Sequence, residues 1–227
     1  MFERTLIVVA HPDDEILGCG GLLAKISSIS EIRVVFIAEG SSCRYNPDET
    51  EEISEAIIIR SLAARKSLSK FGVGDIHFEN NECGRLDQIP IIEINKLIER
   101  HIKEFNPSTL ICHSSVDANS DHRRVFEATL MATRPGALNQ VKHVLSCEIP
   151  SSTEWRFTEA FQPNYFVNLD ESELQMKIMA LLDYESEVRD FPFPRSPRGI
   201  KALSEFRGMQ SGSEYAEAFQ LIRSINN

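Results

Sequence analysis

The chain alternates short apolar runs with longer amphipathic stretches. Apolar runs at 6–10, 32–38 and 109–112, together with an alternating stretch at 75–79, predict β-strands. Apolar residues at helical spacing predict helices over 15–29, 50–71, 90–105 and 121–132. This regular alternation is typical of a parallel sheet with right-handed crossovers. We therefore expect a Rossmann-like, doubly wound α/β fold with a mainly parallel sheet and helices on both faces.

The chain after residue 135 predicts a C-terminal elaboration of strands and helices. Strands are expected at 141–149 and 165–169, an amphipathic helix at 170–188, and a final helix at 212–225. The segment FPFPRSPR at 191–198 predicts a loop. Arg195 and Arg198 in this loop are expected to be solvated charges, in preference to residues that clamp an anion. We expect a single domain over 1–227, with a core at about 1–135 and with 136–227 forming part of the substrate cleft.

The first predicted strand ends in an acidic turn, His11-Pro12-Asp13-Asp14-Glu15. Ligands of open parallel sheets gather outside the carboxyl ends of the strands, which is where this turn lies. Ionisable residues so close together are costly to bury unless their charge is compensated, and a divalent cation is the simplest compensator. The competing interpretation is a solvated turn with a helix N-cap. The glycines at 18–21 lie inside the helix predicted at 15–29. This position favours a role in close packing of the helix over a phosphate-binding loop.

A metal site needs donors from a second segment. His11 and Asp14 stand across a strand-to-helix turn, so both side chains can face one point. Catalytic zinc takes three protein ligands and acidifies a water to a pKa of ~7. His122 is the best candidate for the third ligand, because it follows a different strand and begins a helix; the alternative is a surface histidine. Asp13, beside the ligands, fits a general base. We predict a Zn²⁺ site, with Fe²⁺ or another divalent cation as the alternative.

Composition narrows the choice of partners. The 227 residues carry 24 Lys and Arg against 34 Asp and Glu, a net charge of −10. This charge disfavours nucleic acid and anionic membranes as partners and favours a neutral or cationic small substrate. The five cysteines are widely spaced, which is typical of reduced thiols. With no signal-peptide pattern and no run of membrane-spanning length, we expect a cytoplasmic protein without membrane insertion, either monomeric or a homo-oligomer.

Two motifs occur together in the chain: AHPDDEILGCGG at 10–21, and Asp117-x-Asn119-x-Asp121-His122-Arg123. This pair resembles the PIG-L/LmbE-like family of zinc-dependent N-acetylglucosaminyl deacetylases. The resemblance extends over most of the chain, including Arg60, the segment at 132–135 and, more loosely, 151–155 and 215–219. It implies hydrolysis of an acetamide on an amino sugar, with release of acetate.

The resemblance assigns the metal ligands to His11, Asp14 and His122. It assigns the general base to Asp13. Several family branches carry His-Pro-Asp-His before the last ligand, and its first histidine polarises the carbonyl or protonates the leaving amine. Asn119 stands there in this chain, and an amide can donate to an oxyanion or form an Asx turn but supplies no proton at neutral pH. Protonated Asp13 is the expected proton donor. His113 is the alternative, although a satisfied core histidine explains it equally well.

Two further roles follow from the resemblance. Asp121 is expected to orient a ligand histidine as a hydrogen-bond acceptor. Arg60 is expected to contact substrate hydroxyls or a phosphate, although Ala63 and Ala64 replace the acidic residue that many relatives carry one turn later. The leading hypothesis is an N-deacetylase for an N-acetylglucosamine-like substrate. The alternatives are hydrolysis of another amide on the same metal centre, for instance in an antibiotic or thiol-cofactor precursor, and a metal-free module that binds a nucleotide or sugar nucleotide.

Overall fold

A seven-stranded sheet organises the chain in the computed structural model, which describes residues 1–136 and 141–225. Its strands are β1 (Arg4–Val9), β2 (Glu31–Ala38), β3 (Asp75–Asn81), β4 (Thr109–Cys112), β5 (His143–Cys147), β6 (Tyr165–Leu169) and β7 (Tyr215–Ser224). The strand order is β3-β2-β1-β4-β5-β7-β6. The first five strands in this order are parallel, and β7 runs antiparallel to β5 and β6. The predicted α/β class with a mainly parallel sheet is confirmed.

Helices pack on both faces of this sheet. They are α1 (Asp14–Ile26), α2 (Thr50–Ser69), α3 (Ile91–Phe105), α4 (Ser120–Ala132), α5 (Glu171–Leu181) and α6 (Pro197–Ser211). The core on one face is built with residues of α1, α2 and α5, and the core on the other with residues of α3 and α4. The helix predicted at 170–188 is shorter than expected and ends at Leu181. In the described part of the chain, no helix combines the length and apolar character needed to cross a bilayer.

Strand β1 lies in the middle of both cores. Ile7 and Val9 belong to the core beside α1, whereas Leu6 and Val8 belong to the core beside α3, and all four are fully buried. A strand covered on both faces has no side for polar residues, which explains the uninterrupted apolar run from Leu6 to Val9. Its carboxyl end therefore delivers the acidic turn into the interior of the protein.

The final helix predicted at 212–225 is wrong, because Tyr215–Ser224 is strand β7, inserted between β5 and β6. Gly212, with φ of 75°, ends a helix instead of preceding one. That helix, α6, was missed: its first two residues lie in the segment 191–198 predicted as a loop, and no element was predicted for 199–211. Its start carries recognisable signals, since the Ser196 hydroxyl accepts the N–H of Gly199 at 3.0 Å and Pro197 is the first helical residue.

The glycines of α1 allow close contact with the sheet and with α5. A Cβ at Gly18 would lie 2.6 Å from Cys147 Sγ, and one at Gly21 would lie 2.4 Å from Leu169 Cδ1. Such distances leave no room for a side chain. These contacts agree with the packing role predicted for the segment at 18–21.

Candidate metal centre

Two polar segments meet where the strand order reverses. Strand β2 follows β1 in the chain and pairs with one edge of it. Strand β4 comes later in the chain and pairs with the other edge of β1. Such a switch point opens a crevice at the carboxyl ends of the strands. His11 follows β1 and Asp14 begins α1, while Asp121 and His122 lie in the first turn of α4. The fold thus brings the two sequence motifs to one place, and all four side chains are buried there.

The three predicted ligands converge on one point. His122 Nε2 lies 3.3 Å from both His11 Nδ1 and Asp14 Oδ2. The remaining distance, from His11 Nδ1 to Asp14 Oδ2, is 3.5 Å. Two imidazole nitrogens and one carboxylate oxygen therefore form a compact triangle inside the protein.

This triangle fits a divalent cation. Tetrahedral zinc with bonds of 2.0–2.1 Å separates its ligand atoms by about 3.3 Å, close to the distances in this site. Nitrogen and oxygen donors suit zinc and other divalent ions. Burial tends to lower the pKa of His122, but the carboxylates of Asp14 and Asp117 raise it to about 10. The site thus favours an added positive charge, which is what a cation between these donors supplies.

A carboxylate holds the His11 ring, as predicted for Asp121. His11 Nε2 lies 2.9 Å from Asp121 Oδ2, so the ring donates there and its Nδ1 lone pair faces the ligand triangle. Asp121 is itself fixed by the backbone N–H groups of Gly84 at 2.7 Å and Leu86 at 3.1 Å. Burial opposes charge on His11, but hydrogen bonds to Asp121 and Asp14 raise its pKa overall.

A second carboxylate, Asp117, forms a close ion pair with the His122 ring. Its Oδ2 lies 3.1 Å from His122 Nδ1 and accepts the Thr153 hydroxyl at 2.7 Å, while its Oδ1 accepts the Ser152 hydroxyl. Burial raises the pKa of Asp117, but the hydrogen bond to His122 and that from Ser152 lower it to about 2. Asp117 had no predicted role. The signal was its place in the same motif as Asp121.

Asp13 lies beside the triangle in a strained backbone conformation. Its φ is 124°, a region that side-chain-bearing residues rarely adopt. Its Oδ2 contacts Arg195 Nη1 at 2.6 Å and Arg60 Nη2 at 3.1 Å. Burial raises the pKa of Asp13 to about 6, against the opposing effect of the two guanidinium groups. Its Oδ1 receives no hydrogen bond from the residues that the structure describes.

Glu187 joins three arginines around Asp13. Arg44 donates to both carboxylate oxygens, at 2.7 and 2.8 Å, while Arg60 lies 3.1 Å and Arg195 3.2 Å from the carboxylate. Burial raises the pKa of Glu187, but the three guanidinium groups bring it down to about 2. Sequence reasoning missed Glu187. It stands among other acidic residues at 183–190, and no local pattern distinguishes it from them.

The prediction that Arg195 is a solvated loop charge is wrong. Its side chain is only 15% exposed, and besides Asp13 it donates from Nε to Ser151 Oγ at 2.6 Å. The physical reason is the buried carboxylate of Asp13, because an uncompensated charge in the interior is strongly unfavourable. Arg198 is exposed and lies over the Phe191 ring at 4.0 Å, in agreement with its prediction.

The contacts of Arg60 favour a supporting role over the predicted contact with substrate. Its Nε donates to the Pro12 carbonyl at 2.8 Å and its Nη1 to the Gly40 carbonyl. The remaining contacts are those to Asp13 and Glu187, and the side chain is almost fully buried. Its donors are thus directed at protein acceptors that surround Asp13.

His113 packs beneath the ligands. Its Nε2 accepts the backbone N–H of Ala10 at 2.7 Å, and its ring stacks on His122 with the centroids 3.9 Å apart. Burial lowers the pKa of His113 to about 3, so the ring is neutral near pH 7. These contacts favour the core-histidine interpretation over a role as proton donor.

Asn119 caps helix α4. Its Oδ1 accepts the N–H of Asp121 at 2.9 Å, which is the expected Asx-type turn. Its Nδ2 donates to none of the described residues, and the side chain is half-buried. The capping role therefore leaves the amide donor available for a ligand.

The family model described as PIG-L, GlcNAc-PI de-N-acetylase, matches residues 6–133. The chain belongs to the PIG-L family. The matched part runs from β1 to the end of α4 and so contains both motifs from which the resemblance was inferred. The predicted family is confirmed.

Relatives of this PIG-L chain include deacetylases of known structure. Diacetylchitobiose deacetylase from Thermococcus kodakarensis is 23% identical over 230 residues, which cover 98% of this chain and 84% of the relative. The structure of N,N′-diacetylchitobiose deacetylase from Pyrococcus horikoshii, complexed with its inhibitor MPG, matches with a TM-score of 0.78 at 20% identity, covering 97% of this chain and 84% of that one. The zinc-inhibited form of teicoplanin deacetylase Orf2 matches with a TM-score of 0.71 at 17% identity, covering 99% and 100%. These likenesses confirm the fold.

Proposed function

We propose that this chain is a metal-dependent deacetylase that hydrolyses the acetamide of an N-acetylated amino sugar to acetate and a free amine. The triangle of His11 Nδ1, Asp14 Oδ2 and His122 Nε2, with sides of 3.3 to 3.5 Å, is the observation that carries the proposal. Membership of the PIG-L family supports the reaction class. Similarity to a diacetylchitobiose deacetylase supports an N-acetylglucosamine-like substrate.

The metal would be held by the three residues of the triangle. Zn²⁺ is the first choice, and Fe²⁺ or another divalent ion is the alternative. When bound, the cation would supply Lewis acidity, which polarises an amide carbonyl and lowers the pKa of a water. Asp121 and Asp117 fix the His11 and His122 rings so that one nitrogen of each faces the cation.

Asp13 acts as the general base. Arg195 and Arg60 hold its Oδ2, so that Oδ1 is left to accept a proton from the attacking water. The two guanidinium groups favour the ionised carboxylate, which burial alone would disfavour. The base is thereby fixed in orientation and kept charged before the substrate binds.

The proton then returns from Asp13 to the leaving nitrogen. One water is consumed, the C–N bond breaks, and the products are acetate and the amine. Asn119 donates from Nδ2 to the carbonyl oxygen as negative charge develops there. His113 takes no part in proton transfer in this scheme, because its Nε2 is occupied by the Ala10 N–H. It supports the His122 ring from below.

The C-terminal part, 136–227, forms one wall of the cleft in this proposal. Ser152 binds Asp117 and Arg195 binds Asp13, which places the segments around both residues next to the metal ligands. Trp155 and Phe193 lie on these segments with their ring centroids 6.3 Å apart, and Trp155 is 47% exposed. An aromatic pair with the Trp155 ring exposed suits the apolar face of a sugar ring.

Acetate release tests the function directly. The zinc-loaded protein is incubated with N,N′-diacetylchitobiose, and acetate and free amine are measured together. We expect equal amounts of both, loss of activity with a chelator and recovery on adding zinc. Failure to release acetate from any acetylated amino sugar, with one zinc bound per chain, would overturn the substrate class.

A variant of Asp13 tests its role. Asp13→Asn preserves shape and leaves the ligand triangle intact, so we expect zinc to remain bound while kcat falls by roughly 10²-fold or more. Asp48→Asn is the control, since Asp48 is an exposed residue of the same type. Full activity in Asp13→Asn would refute the proposed base but leave the deacetylase proposal standing.

Another amide on the same centre is the second candidate. Similarity to teicoplanin deacetylase Orf2 supports it, because that relative is named for teicoplanin. Comparing kcat/KM for N,N′-diacetylchitobiose and for acetylated teicoplanin separates the two. The metal-free nucleotide-binding alternative has no comparable support. The cytoplasmic location and the oligomeric state stay predictions.

A further inference from the structure

Two of the five cysteines come together beside the candidate metal centre. Cys43 Sγ and Cys83 Sγ lie 3.0 Å apart, although 40 positions separate the two residues in the sequence. Cys43 is exposed in the short helical turn that follows β2, and Cys83 lies in the loop after β3. The remaining three thiols are fully buried in the core: Cys19, Cys112 and Cys147.

Glu39 holds both loops in place. Its Oε1 accepts the N–H of Cys83 at 2.7 Å, and its Oε2 accepts the N–H of Ser42 at 3.0 Å and that of Ser41. One carboxylate thus fixes the backbone next to each cysteine. Since a disulfide bond measures about 2.0 Å, the two sulfur atoms need to approach by only about 1 Å to form one.

Each cysteine is next to a residue that supports the site. Arg44, which follows Cys43, makes two hydrogen bonds to Glu187, and Glu187 contacts the arginines that hold Asp13. Gly84, which follows Cys83, donates to Asp121, the carboxylate that holds the His11 ring. A covalent link between the cysteines would therefore connect the supports of Asp13 and His11.

We propose that Cys43 and Cys83 form a reversible disulfide that ties these two loops together. The oxidant is a peroxide. The exposed Cys43 sulfur attacks hydrogen peroxide, which breaks the O–O bond, gives a sulfenic acid and releases one water. The Cys83 sulfur then attacks the sulfenic sulfur, the S–S bond forms, and a second water leaves. Two thiols thus lose two electrons to one peroxide, and a reductant reverses the change.

The link has measurable consequences. It closes a long loop, from 43 to 83, which restricts the unfolded chain, so we expect the oxidised protein to melt about 5 °C or more above the reduced one. The disulfide also fixes the loop in which Gly84 donates a hydrogen bond to Asp121. We therefore expect zinc to be lost to a chelator several-fold more slowly from the oxidised form.

The test uses the full-length, zinc-loaded protein and dilute hydrogen peroxide. After oxidation and unfolding, three of the five thiols should remain titratable. Trypsin should release a joined pair of peptides, 34–44 and 71–85, which a phosphine reductant separates. These readouts do not depend on catalysis, so they succeed or fail independently of the proposed function.

Single variants supply the controls. Cys43→Ser and Cys83→Ser should each give no joined peptides and no rise in Tm with peroxide. Cys112→Ser removes a buried thiol outside the pair. With peroxide it should give the joined peptides and the rise in Tm, as the parent protein does. Five free thiols after oxidation, a bond to another cysteine, or a bond between molecules would overturn the proposal. Equal rates of zinc loss from the two forms would overturn the connection to the site.

Discussion

Arg195 Nη1 lies 2.6 Å from Asp13 Oδ2, although 182 positions separate the two residues. Arg60 reaches the same oxygen from helix α2, at 3.1 Å. Two guanidinium groups on one carboxylate oxygen fix the orientation of Asp13 more firmly than either does alone. The C-terminal part of the chain thus completes a site whose proposed metal ligands all come from the first 122 residues.

Replacing Arg195 should impair the reaction more than substrate binding. In Arg195→Ala the Asp13 carboxylate keeps Arg60 but loses its shorter contact, so the proposed base is less well oriented. We expect kcat for acetate release to fall roughly 10- to 100-fold with little change in KM.

Arg198→Ala is the matched control for this prediction. Arg198 belongs to the same segment, is exposed, and contacts the ring of Phe191 instead of the site. Its activity should equal that of the parent protein. A raised KM with unchanged kcat in Arg195→Ala would mean that Arg195 binds substrate and does not position Asp13.

The charge on Glu187 should stabilise the fold in a pH-dependent way. Its pKa is about 2 in the folded protein, because three arginines surround it, and 4.5 as the ordinary value. A lowered pKa contributes stability above pH 4.5, and that contribution is lost as the pH falls towards 2. Glu187→Gln should therefore lower the free energy of unfolding by about 3 kcal/mol near pH 7.

Denaturant unfolding of both proteins from pH 7 to pH 3 measures this difference. It should shrink steadily below pH 4.5, because the unfolded chain then binds a proton at Glu187 that the folded protein, with a Glu187 pKa of about 2, does not yet bind. Glu185→Gln is the control, since Glu185 is exposed two positions away. A difference that stays constant over this range would show that Glu187 acts by packing, not by charge.

The strands and turns that carry the proposed metal ligands were predictable because their signals are local. The uncharged run of β1, the abrupt acidic turn and the polar segment after β4 each stand out in the sequence. Parallel topology then brings the carboxyl ends of neighbouring strands together. The meeting of His11, Asp14 and His122 follows from these two facts.

The supports of Asp13 were not predictable in the same way. Arg195 and Glu187 reach the site through the docking of a C-terminal loop, and no local pattern encodes where a loop docks. Their charged side chains are typical of solvated positions. The Asp13 carboxylate accounts for the position of Arg195, and the surrounding arginines account for the burial of Glu187.

Strand β7 shows how one pattern can fit two structures. Apolar residues at Tyr215, Ala216, Ala218 and Phe219 suit either a helix face or a strand buried on both sides. The neighbours decide between them, because β5 and β6 offer hydrogen bonds on both edges. The buried Glu217, an improbable residue for a central strand, is compensated by Lys177 at 2.6 Å.

Adding a methyl group at Gly18 should destabilise the protein. A Cβ there would lie 2.6 Å from Cys147 Sγ and 3.0 Å from Ile149 Cδ1. Overpacking costs about 1–3 kcal/mol, and the better helix propensity of alanine offsets up to about 1 kcal/mol of it. We expect Gly18→Ala to lose on the order of 1 kcal/mol in denaturant unfolding. Gly74→Ala, where the Cβ would meet nothing within 4 Å, should change stability little, and equal effects would refute the packing role.

Asp121→Asn should weaken metal binding. Two carboxylate oxygens accept from three donors, the His11 ring and the N–H groups of Gly84 and Leu86. Asparagine has one acceptor oxygen, so at least one of these donors must face an NH₂ group, and the support that Asp121 gives to the His11 ring is weakened. We expect zinc affinity, measured by competition with a chelator, to fall about 10- to 100-fold. Asp75→Asn alters another aspartate–histidine pair, at the start of β3, in which Asp75 Oδ1 lies 2.7 Å from His77 Nε2. This variant should leave the zinc affinity unchanged. If both variants bind zinc as the parent protein does, Asp121 does not orient a ligand.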